Sequence, residues 1–230
     1  MATGISLAGF RYIMQRYALL ALFGVCLFAA AGSWNWPRGW AVLAACFVCE
    51  SVSLGFLAFR APETLNQRGT SHTGVKPFDI VFAALWFVLS FSLGVVAGLD
   101  CIRYAWSSLS WPAFGLGLGL VVAATAIGTW AMVENEHFEK FVRIQADRNH
   151  RVVTTGPYRT IRHPGYLAGI LGALGSPLML GSAWSAIPAL LLAALFVWRT
   201  SAEDTTLQRE LDGYTEYAAQ TPYRLIPFVW

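Results

Sequence analysis

The stretch PAFGLGLGLVVAATAIGTWAMV, residues 112–133, decides the fold class of this protein. It carries no charged side chain and is long enough to cross a bilayer as a helix, which takes about 20 residues. Similar apolar stretches lie at roughly 17–32, 40–59, 78–98, 166–180 and 183–200. We therefore predict an all-α, polytopic transmembrane bundle of about six apolar helices. The last two form a short hairpin around Gly181-Ser182 that need not span fully.

The composition agrees with a membrane protein. The chain is 56% hydrophobic and only 13% charged, whereas soluble domains carry about 25% charged residues. The formal net charge of +3 is small, so no nucleic-acid partner is predicted. The four cysteines are scattered without a paired metal-ligand pattern, so we predict no metal site. No feature indicates an obligate protein partner.

The run GLGLGL within the opening stretch could be interpreted as part of a dinucleotide-binding loop. That interpretation requires a preceding strand and a βαβ unit, which this helical segment excludes. No Rossmann fold is predicted. Gly115 and Gly119, like Gly94 and Gly98, are instead spaced one helical turn apart, a pattern that lets helices approach closely.

The distribution of cations predicts the orientation. Of the 16 Lys and Arg residues, 14 fall at the N-terminus, in 60–77, in 134–165 or in the tail, and only Arg38 and Arg103 lie in alternate loops. Because cations are retained on the cytoplasmic side, we expect both termini and the polar segments to be cytoplasmic.

The polar stretch GPYRTIRHPGY, residues 156–166, precedes the fifth apolar span. Pro164 suits the first turn of a helix, whose N-terminus presents unpaired N–H groups and partial positive charge. With Arg159, Arg162 and His163 beside it, this end predicts a site for a carboxylate. A basic loop that meets lipid headgroups is the simpler alternative, but it requires no fixed prolines and tyrosines. Whether Arg159 or Arg162 contacts the ligand stays open.

Three further polar positions carry predictions. Arg199 and Glu203 share a helix face, as a surface salt bridge or as ligand contacts. Glu50 lies within the second span, where a carboxyl either anchors neighbouring helices or faces a substrate cavity, there with its proton retained. Glu134, His137, Phe138 and Phe141 have helical spacing, so the fourth span is expected to continue out of the membrane.

The order of these motifs resembles the isoprenylcysteine carboxyl methyltransferase family, whose wider group includes phospholipid N-methyltransferases. The matching elements are GPY-R-x-x-RHPGY-x-x-G, an apolar hairpin, R-x-x-x-E-D-x-x-L, GY-x-x-Y and YRLIP. The resemblance covers roughly 134–230. It departs at the acidic pair, which is Glu203-Asp204 where two glutamates are usual.

The resemblance implies an S-adenosylmethionine-dependent membrane methyltransferase that releases S-adenosylhomocysteine. It implies one domain, 1–230, with N-terminal helices 1–111 and a core 112–230 that includes a cofactor loop, 134–166, and a tail, 199–230. The cofactor would lie in a cytoplasmic pocket. The cofactor-binding residues that it implies are Val153, Gly156, Pro157, Tyr158, Arg162, His163, Tyr166, Leu167 and Glu203.

Catalytic roles are expected for Arg199, Glu203 and Arg162. Arg199 would orient a carboxylate acceptor, whereas an amine or thiol would need Glu203 or His163 as base. The acceptor is lipophilic, entering from membrane lipids, or small. Two alternatives stay open: a sterol-reductase-like enzyme using NADPH, and a non-enzymatic membrane or lipid-interaction protein.

Overall fold

The computed structural model describes residues 4–70 and 74–230, which are helical or irregular and contain no strand. The helices of these ranges are α1 (Leu7–Ala31), α2 (Pro37–Arg60), α3 (Pro62–Gly69), α4 (Pro77–Gly98), α5 (Trp111–Glu134), α6 (Pro164–Leu180), α7 (Ala186–Glu210) and α8 (Tyr214–Gln220). Helix α4 continues as a π-helical turn, Leu99–Arg103, and short 3-10 turns lie at Ala146–Arg148 and Gly156–Arg159.

Five of these helices are long and apolar enough to cross a membrane, namely α1, α2, α4 with its π-helical turn, α5 and α7. Helix α6 is apolar but has only 17 residues. The predicted all-α polytopic bundle is therefore confirmed. Helix α1 begins earlier than predicted because Ser6 caps it: the Ser6 hydroxyl accepts a hydrogen bond from the Gly9 amide at 3.3 Å.

The last two apolar helices were predicted to form a short hairpin, but only the first of them, α6, is short. Helix α7 runs 25 residues to Glu210, about ten beyond the apolar span. Hydropathy marks where a segment leaves the membrane, but only a helix breaker or competing cap ends the helix. No Pro or Gly occurs between Ala189 and Asp212, so α7 continues and presents Arg199, Glu203 and Asp204 from regular backbone.

The fourth span does not continue as a helix, which overturns a second prediction. Helix α5 ends at Glu134, and 135–145 is irregular. The Asn135 side-chain oxygen accepts from the His137 amide at 2.9 Å. Such a local bond competes with the helical ladder. We call residues 135–155, which this end releases, the capping loop.

Glycines set the closest helix contacts. A methyl group at Gly117 would overlap the Gly175 carbonyl region, so α5 and α6 approach backbone to backbone. Gly94 and Gly98 likewise face α1, as predicted. The prediction for Gly115 and Gly119 was wrong, because no atom lies within 4 Å of a Cβ built at either position. The glycine between them is the one that packs.

Helix α3, which the sequence patterns did not predict, is held against α1. The Ser6 amide and hydroxyl both donate to Asn66 Oδ1, at 2.8 and 2.9 Å. A methyl group at Gly69 would overlap the Ala8 carbonyl, so the two helices touch there. This contact places Arg68, near the end of α3, beside the second turn of α1.

Candidate active site

A cavity of about 650 Å³ opens at the end of the bundle that carries the capping loop. Its inner part is walled by α1, α2, α4, α5 and α6, with apolar side chains that include Leu19, Leu54, Trp86, Val121 and Ala124. Its outer part is polar and is enclosed by the capping loop, α7 and α8. One continuous space therefore joins a polar end to the apolar interior.

The GPYRTIRHPGY stretch forms part of this polar end. Gly156 opens its 3-10 turn with φ +56°, in contact with Glu134 and Trp130 of α5. Burial raises the pKa of the Tyr158 phenol. The Tyr158 carbonyl accepts from Tyr217 Oη at 2.7 Å, which ties the turn to α8. As predicted, Pro164 occupies the first turn of α6.

Asp204 is the centre of a buried charge network. Its carboxylate is fully buried and accepts from Arg162 Nε and Nη2 at 2.8 and 3.0 Å, and from Arg224 Nε at 2.9 Å. His163 Nε2 and Tyr214 Oη lie 3.1 and 3.0 Å from its Oδ1. Burial and the Asp204 charge raise the pKa of the Tyr214 phenol, which stays protonated and donates.

This network gives Arg162 partners that its sequence position did not indicate. Its remaining nitrogen, Nη1, donates to the carbonyls of Thr221 and Pro222, so each nitrogen of the guanidinium donates to a group of this chain. A role for Arg162 in cofactor binding or catalysis stays a prediction. The anion that Arg162 and His163 face is thus Asp204 itself. Arg159 is exposed. The structure makes Arg162 a residue that holds the tail against the start of α6.

The tail completes this side of the site. The amides of Arg162 and His163 donate to the carbonyls of Tyr223 and Arg224 at 3.0 and 2.9 Å. These two main-chain hydrogen bonds join the tail to the residues immediately before α6. The position of His163 depends on the tail as much as on its own helix.

Glu203 faces the cavity next to Asp204. Its carboxylate accepts a hydrogen bond from Tyr166 Oη and lies 4.0 Å from His163 Nδ1. The Tyr166 and His163 rings stack at 5.6 Å between centroids. Glu203 is only 20% exposed, and part of the carboxylate lines the cavity. Among the described residues, no Lys or Arg lies within ion-pair distance of the Glu203 carboxylate at this polar end.

Arg199 makes a different ion pair from the one predicted. Its Nη2 lies 2.7 Å from Asp79 Oδ1 in the first turn of α4, not against Glu203, and also donates to the Lys140 carbonyl at 2.9 Å. Asp79 is fully buried and requires a counter-charge. Arg199 Nε is buried without a hydrogen-bond partner in the described chain, while the residue lines the cavity.

Glu50 pairs with Arg16 of α1. The two side chains form a bidentate contact, at 2.7 and 2.8 Å, inside the bundle. Both residues also line the cavity. The helix-anchor interpretation is therefore confirmed for Glu50, and a cavity is present beside it.

The predicted cofactor-binding residues divide into two groups. Val153, Tyr158, Arg162, His163, Tyr166 and Glu203 line the cavity, as does Arg199. Gly156, Pro157 and Leu167 are not among the residues that line it, and their contact with a cofactor stays a prediction. Gly156 shapes the turn, and Pro157 is buried beneath it.

The lining residues that sequence reasoning missed include three of the capping loop: His137, Gln145 and His150. His137 Nδ1 lies 3.2 Å from Gln145 Oε1, and the His137 and His150 rings are 4.5 Å apart. His137 Nε2 is buried without a hydrogen-bond partner in the described residues, 3.6 Å from Glu136. The only signal in the sequence was two histidines in a polar segment, which gives no hint that the loop folds inward.

Acid is expected to destabilise the capping loop through His150. Burial, then the charges of His137, Arg143 and Arg148, lower its pKa to about 4. The unfolded chain, with a His pKa of about 6.5, binds more protons between these values, so stability falls as pH decreases from about 6.5 towards 4. His150→Gln should reduce the loss of thermal stability between pH 7 and pH 5, measured by a thermal scan in detergent. An unchanged loss would contradict this assignment.

The fold and cavity define a polytopic helical membrane protein with an inward-facing polar site at one end. Residues 117–209 match the model of the isoprenylcysteine carboxyl methyltransferase (ICMT) family. This segment is therefore similar to the ICMT family, in agreement with the resemblance that the motifs carry.

Relatives agree with this placement. The chain is 29% identical over 126 residues to protein-S-isoprenylcysteine O-methyltransferase B of Arabidopsis thaliana, covering 52% of this chain and 61% of the relative. It is 27% identical over 146 residues to a probable protein-S-isoprenylcysteine O-methyltransferase of Oryza sativa subsp. indica, covering 62% and 76%. It is also 38% identical over 80 residues to the cobalt-zinc-cadmium resistance protein CzcN of Cupriavidus metallidurans, covering 34% and 37%. The chain thus spans about three fifths of the first relative.

Proposed function

We propose that this protein is an S-adenosylmethionine-dependent methyltransferase whose acceptor is a lipophilic carboxylic acid. The observation that carries the proposal is the single cavity that joins the polar end, with Glu203, Tyr166 and Arg199, to an apolar interior. A water-soluble cofactor and a membrane-borne acceptor could meet there. The family match favours methyl transfer over nicotinamide-dependent reduction.

The donors and acceptors at the polar end fit this cofactor. Glu203 is a carboxylate with no Lys or Arg within ion-pair distance among the described residues, and it suits an amino group or ribose hydroxyls. His137 Nε2 is a buried polar atom with no hydrogen-bond partner in the described chain. Val152, Val153 and Leu207 line the same end and provide an apolar surface for adenine.

When bound, the cofactor supplies a sulfonium methyl group as an already activated electrophile. The protein then has to align and desolvate the acceptor, and alignment alone can contribute several kcal/mol. Arg199 Nε, buried beside the Phe82 and Tyr166 rings at 4.1 and 5.1 Å from Cζ, can donate to an acceptor carboxylate. A carboxylate is ionised already and needs no base. An amine or thiol would lose a proton, and Glu203 is the group placed to take it.

The proposal extends to organisation and sidedness. Residues 112–230 are the methyltransferase core, with its loop 134–166 and tail 199–230, and residues 1–111 contribute helices that complete the cavity. The active site and both termini face the cytoplasm, a proposal that rests on the cation distribution.

Glu203→Gln is expected to weaken S-adenosylhomocysteine binding about 10- to 150-fold, because a charged hydrogen bond contributes roughly 1.5–3 kcal/mol. Binding would be measured by calorimetry on the purified full-length protein in neutral detergent. Glu216→Gln, at an exposed position of α8, is the control and should bind as the wild type does. Transfer of a labelled methyl group to a lipid extract would then identify the acceptor. Tight NADPH binding without any response to S-adenosylhomocysteine would overturn the proposed function.

A further inference from the structure

Two cations at the cavity wall have no carboxylate partner among residues 4–70 and 74–230. Arg68 of α3 and Lys140 of the capping loop both approach Tyr12 of α1, with Arg68 Cζ at 5.2 Å and Lys140 Nζ at 5.0 Å from its ring centroid. Their polar partners are neutral. Arg68 Nε donates to Tyr12 Oη at 2.9 Å and Arg68 Nη1 to the main-chain carbonyl of Glu139 at 3.1 Å, and Lys140 Nζ donates to Gln15 Oε1 at 3.0 Å.

Every other Lys or Arg that lines the cavity has a carboxylate of this chain within ion-pair distance. These pairs are Arg16–Glu50, Arg143–Glu139, Arg151–Glu136, Arg162–Asp204 and Arg199–Asp79. Arg68 and Lys140 therefore leave a local excess of two positive charges beside Tyr12. Burial lowers the pKa of Lys140, and the charges of Arg68 and Arg16 lower it further. Like charges held together in a half-buried site are unfavourable unless an anion compensates them.

The arrangement is held in place on both sides. Arg68 follows the contact between α3 and α1 at Asn66 and Gly69. Lys140 is fixed through its carbonyl, which accepts from Arg199 Nη2. The main chain of Lys140 thus contacts Arg199, and its side chain reaches Tyr12. An anion bound beside Tyr12 would therefore be separated from the group that Arg199 orients by about the length of a lysine side chain.

We propose that this cation pocket, formed by Tyr12, Gln15, Arg68 and Lys140, binds a second anionic group of the methyl acceptor, a phosphate or a carboxylate that is not itself methylated. The inference rests on the proposed function and narrows the substrate class to acidic amphiphiles with at least two acidic groups. The acceptor's chain lies in the apolar interior, and its reacting carboxylate lies at Arg199. Three of the four pocket residues precede the segment that matches the family, so the N-terminal helices set the acceptor preference.

Binding of dodecyl phosphate to the purified full-length protein in neutral detergent tests the pocket. We expect saturable binding that is weakened about tenfold by Lys140→Gln and by Arg68→Gln, because each removes one charge-assisted contact. Arg60→Gln, at an exposed position at the end of α2, should bind as the wild type does. Dodecanol should not compete. The proposal would be overturned if the variant that combines Lys140→Gln with Arg68→Gln bound dodecyl phosphate as tightly as the wild type, or if the wild type showed no saturable binding.

S-adenosylhomocysteine binding, measured on the same samples, reports folding and the proposed function separately. It should be unchanged in Lys140→Gln, whose side chain has one hydrogen-bond partner in the described chain. A wild type that binds dodecyl phosphate but not S-adenosylhomocysteine would refute methyl transfer and leave an anion site without an acceptor role. A wild type that binds S-adenosylhomocysteine alone would refute only the pocket.

The charge of the methylated product tests the assignment to the acceptor. After transfer from labelled donor to a lipid extract, we expect the labelled product to be retained on an anion exchanger, since one acidic group remains. A neutral labelled product that flows through would overturn the acceptor assignment. In that case the pocket would hold a phospholipid headgroup of the bilayer.

Discussion

Replacing Asp204 with Ala should cost about 3–5 kcal/mol of folding free energy, the usual effect of leaving a buried cation without its partner. Asp204 is fully buried and neutralises Arg162, which is itself only 7% exposed. It also holds Arg224 at 2.9 Å and accepts from the Tyr214 hydroxyl at 3.0 Å. The substitution therefore releases the tail, α8 and the start of α6 together.

A thermal scan in detergent measures this effect. For a chain of this size, a loss of that magnitude lowers the midpoint by about 10 °C. Arg224 is then released from its carboxylate, and trypsin should cleave there earlier than in the wild type. S-adenosylhomocysteine binding should be lost as well, because His163 is positioned by the same carboxylate at 3.1 Å.

Glu210→Gln provides the matched control on the same helix. Glu210 also pairs with a cation, with its carboxylate oxygens 2.7 Å from Lys76 Nζ, but the two side chains are 43% and 28% exposed. Exposed pairs typically contribute less than about 1 kcal/mol, so the midpoint should shift by less than about 4 °C. If Asp204→Ala melts no earlier than this control, the buried network does not hold the tail.

Arg199→Lys should reduce kcat/KM for the lipid acceptor by about 100- to 1000-fold, the range seen when one oriented donor to a reacting oxyanion is removed. Lysine retains the charge beside Asp79, but it lacks the planar fork and the buried Nε–H, which has no hydrogen-bond partner in the described chain. The loss should therefore affect methyl transfer rather than folding. S-adenosylhomocysteine affinity should stay within about twofold of the wild-type value, since less than about 0.5 kcal/mol of binding is at stake.

Labelled methyl transfer, measured at several acceptor concentrations, separates kcat from KM in this variant. Arg209→Lys is the control, because Arg209 is exposed on the same helix and does not line the cavity. Near-normal transfer by Arg199→Lys would show that Arg199 serves only as the partner of Asp79. Loss of cofactor binding together with transfer would indicate a folding defect instead.

The membrane-spanning architecture could be predicted because it depends on composition within single segments. A bilayer admits only backbone that satisfies its own hydrogen bonds, so the uncharged stretch 112–133 had to be helical wherever its neighbours lie. The end of α7 was not predictable in the same way. The residue at which α7 ends depends on where a helix-breaking residue or a capping interaction occurs, and hydropathy carries no information on that point.

The candidate site was predictable as a set of residues but not as a set of contacts. From the motifs we predicted one pocket that includes Arg162, His163, Tyr166 and Glu203, and in the structure these four residues line one cavity. They could not indicate that Asp204, rather than a ligand, neutralises Arg162, because that pairing joins residues 42 positions apart. For the same reason the salt-bridge alternative paired Arg199 with Glu203, its neighbour along the helix, whereas the structure pairs Arg199 with Asp79 of α4.

The sequence by itself therefore determined a helical membrane protein whose motifs resemble the ICMT family, because hydropathy and motif order can be read directly from the order of residues along the chain. Only the tertiary structure decided which charges are paired. Ion pairs form according to distance and burial after the helices have packed. That packing brings Lys140 and Arg68 to Tyr12 without a carboxylate, and this uncompensated charge is what points to an acidic acceptor.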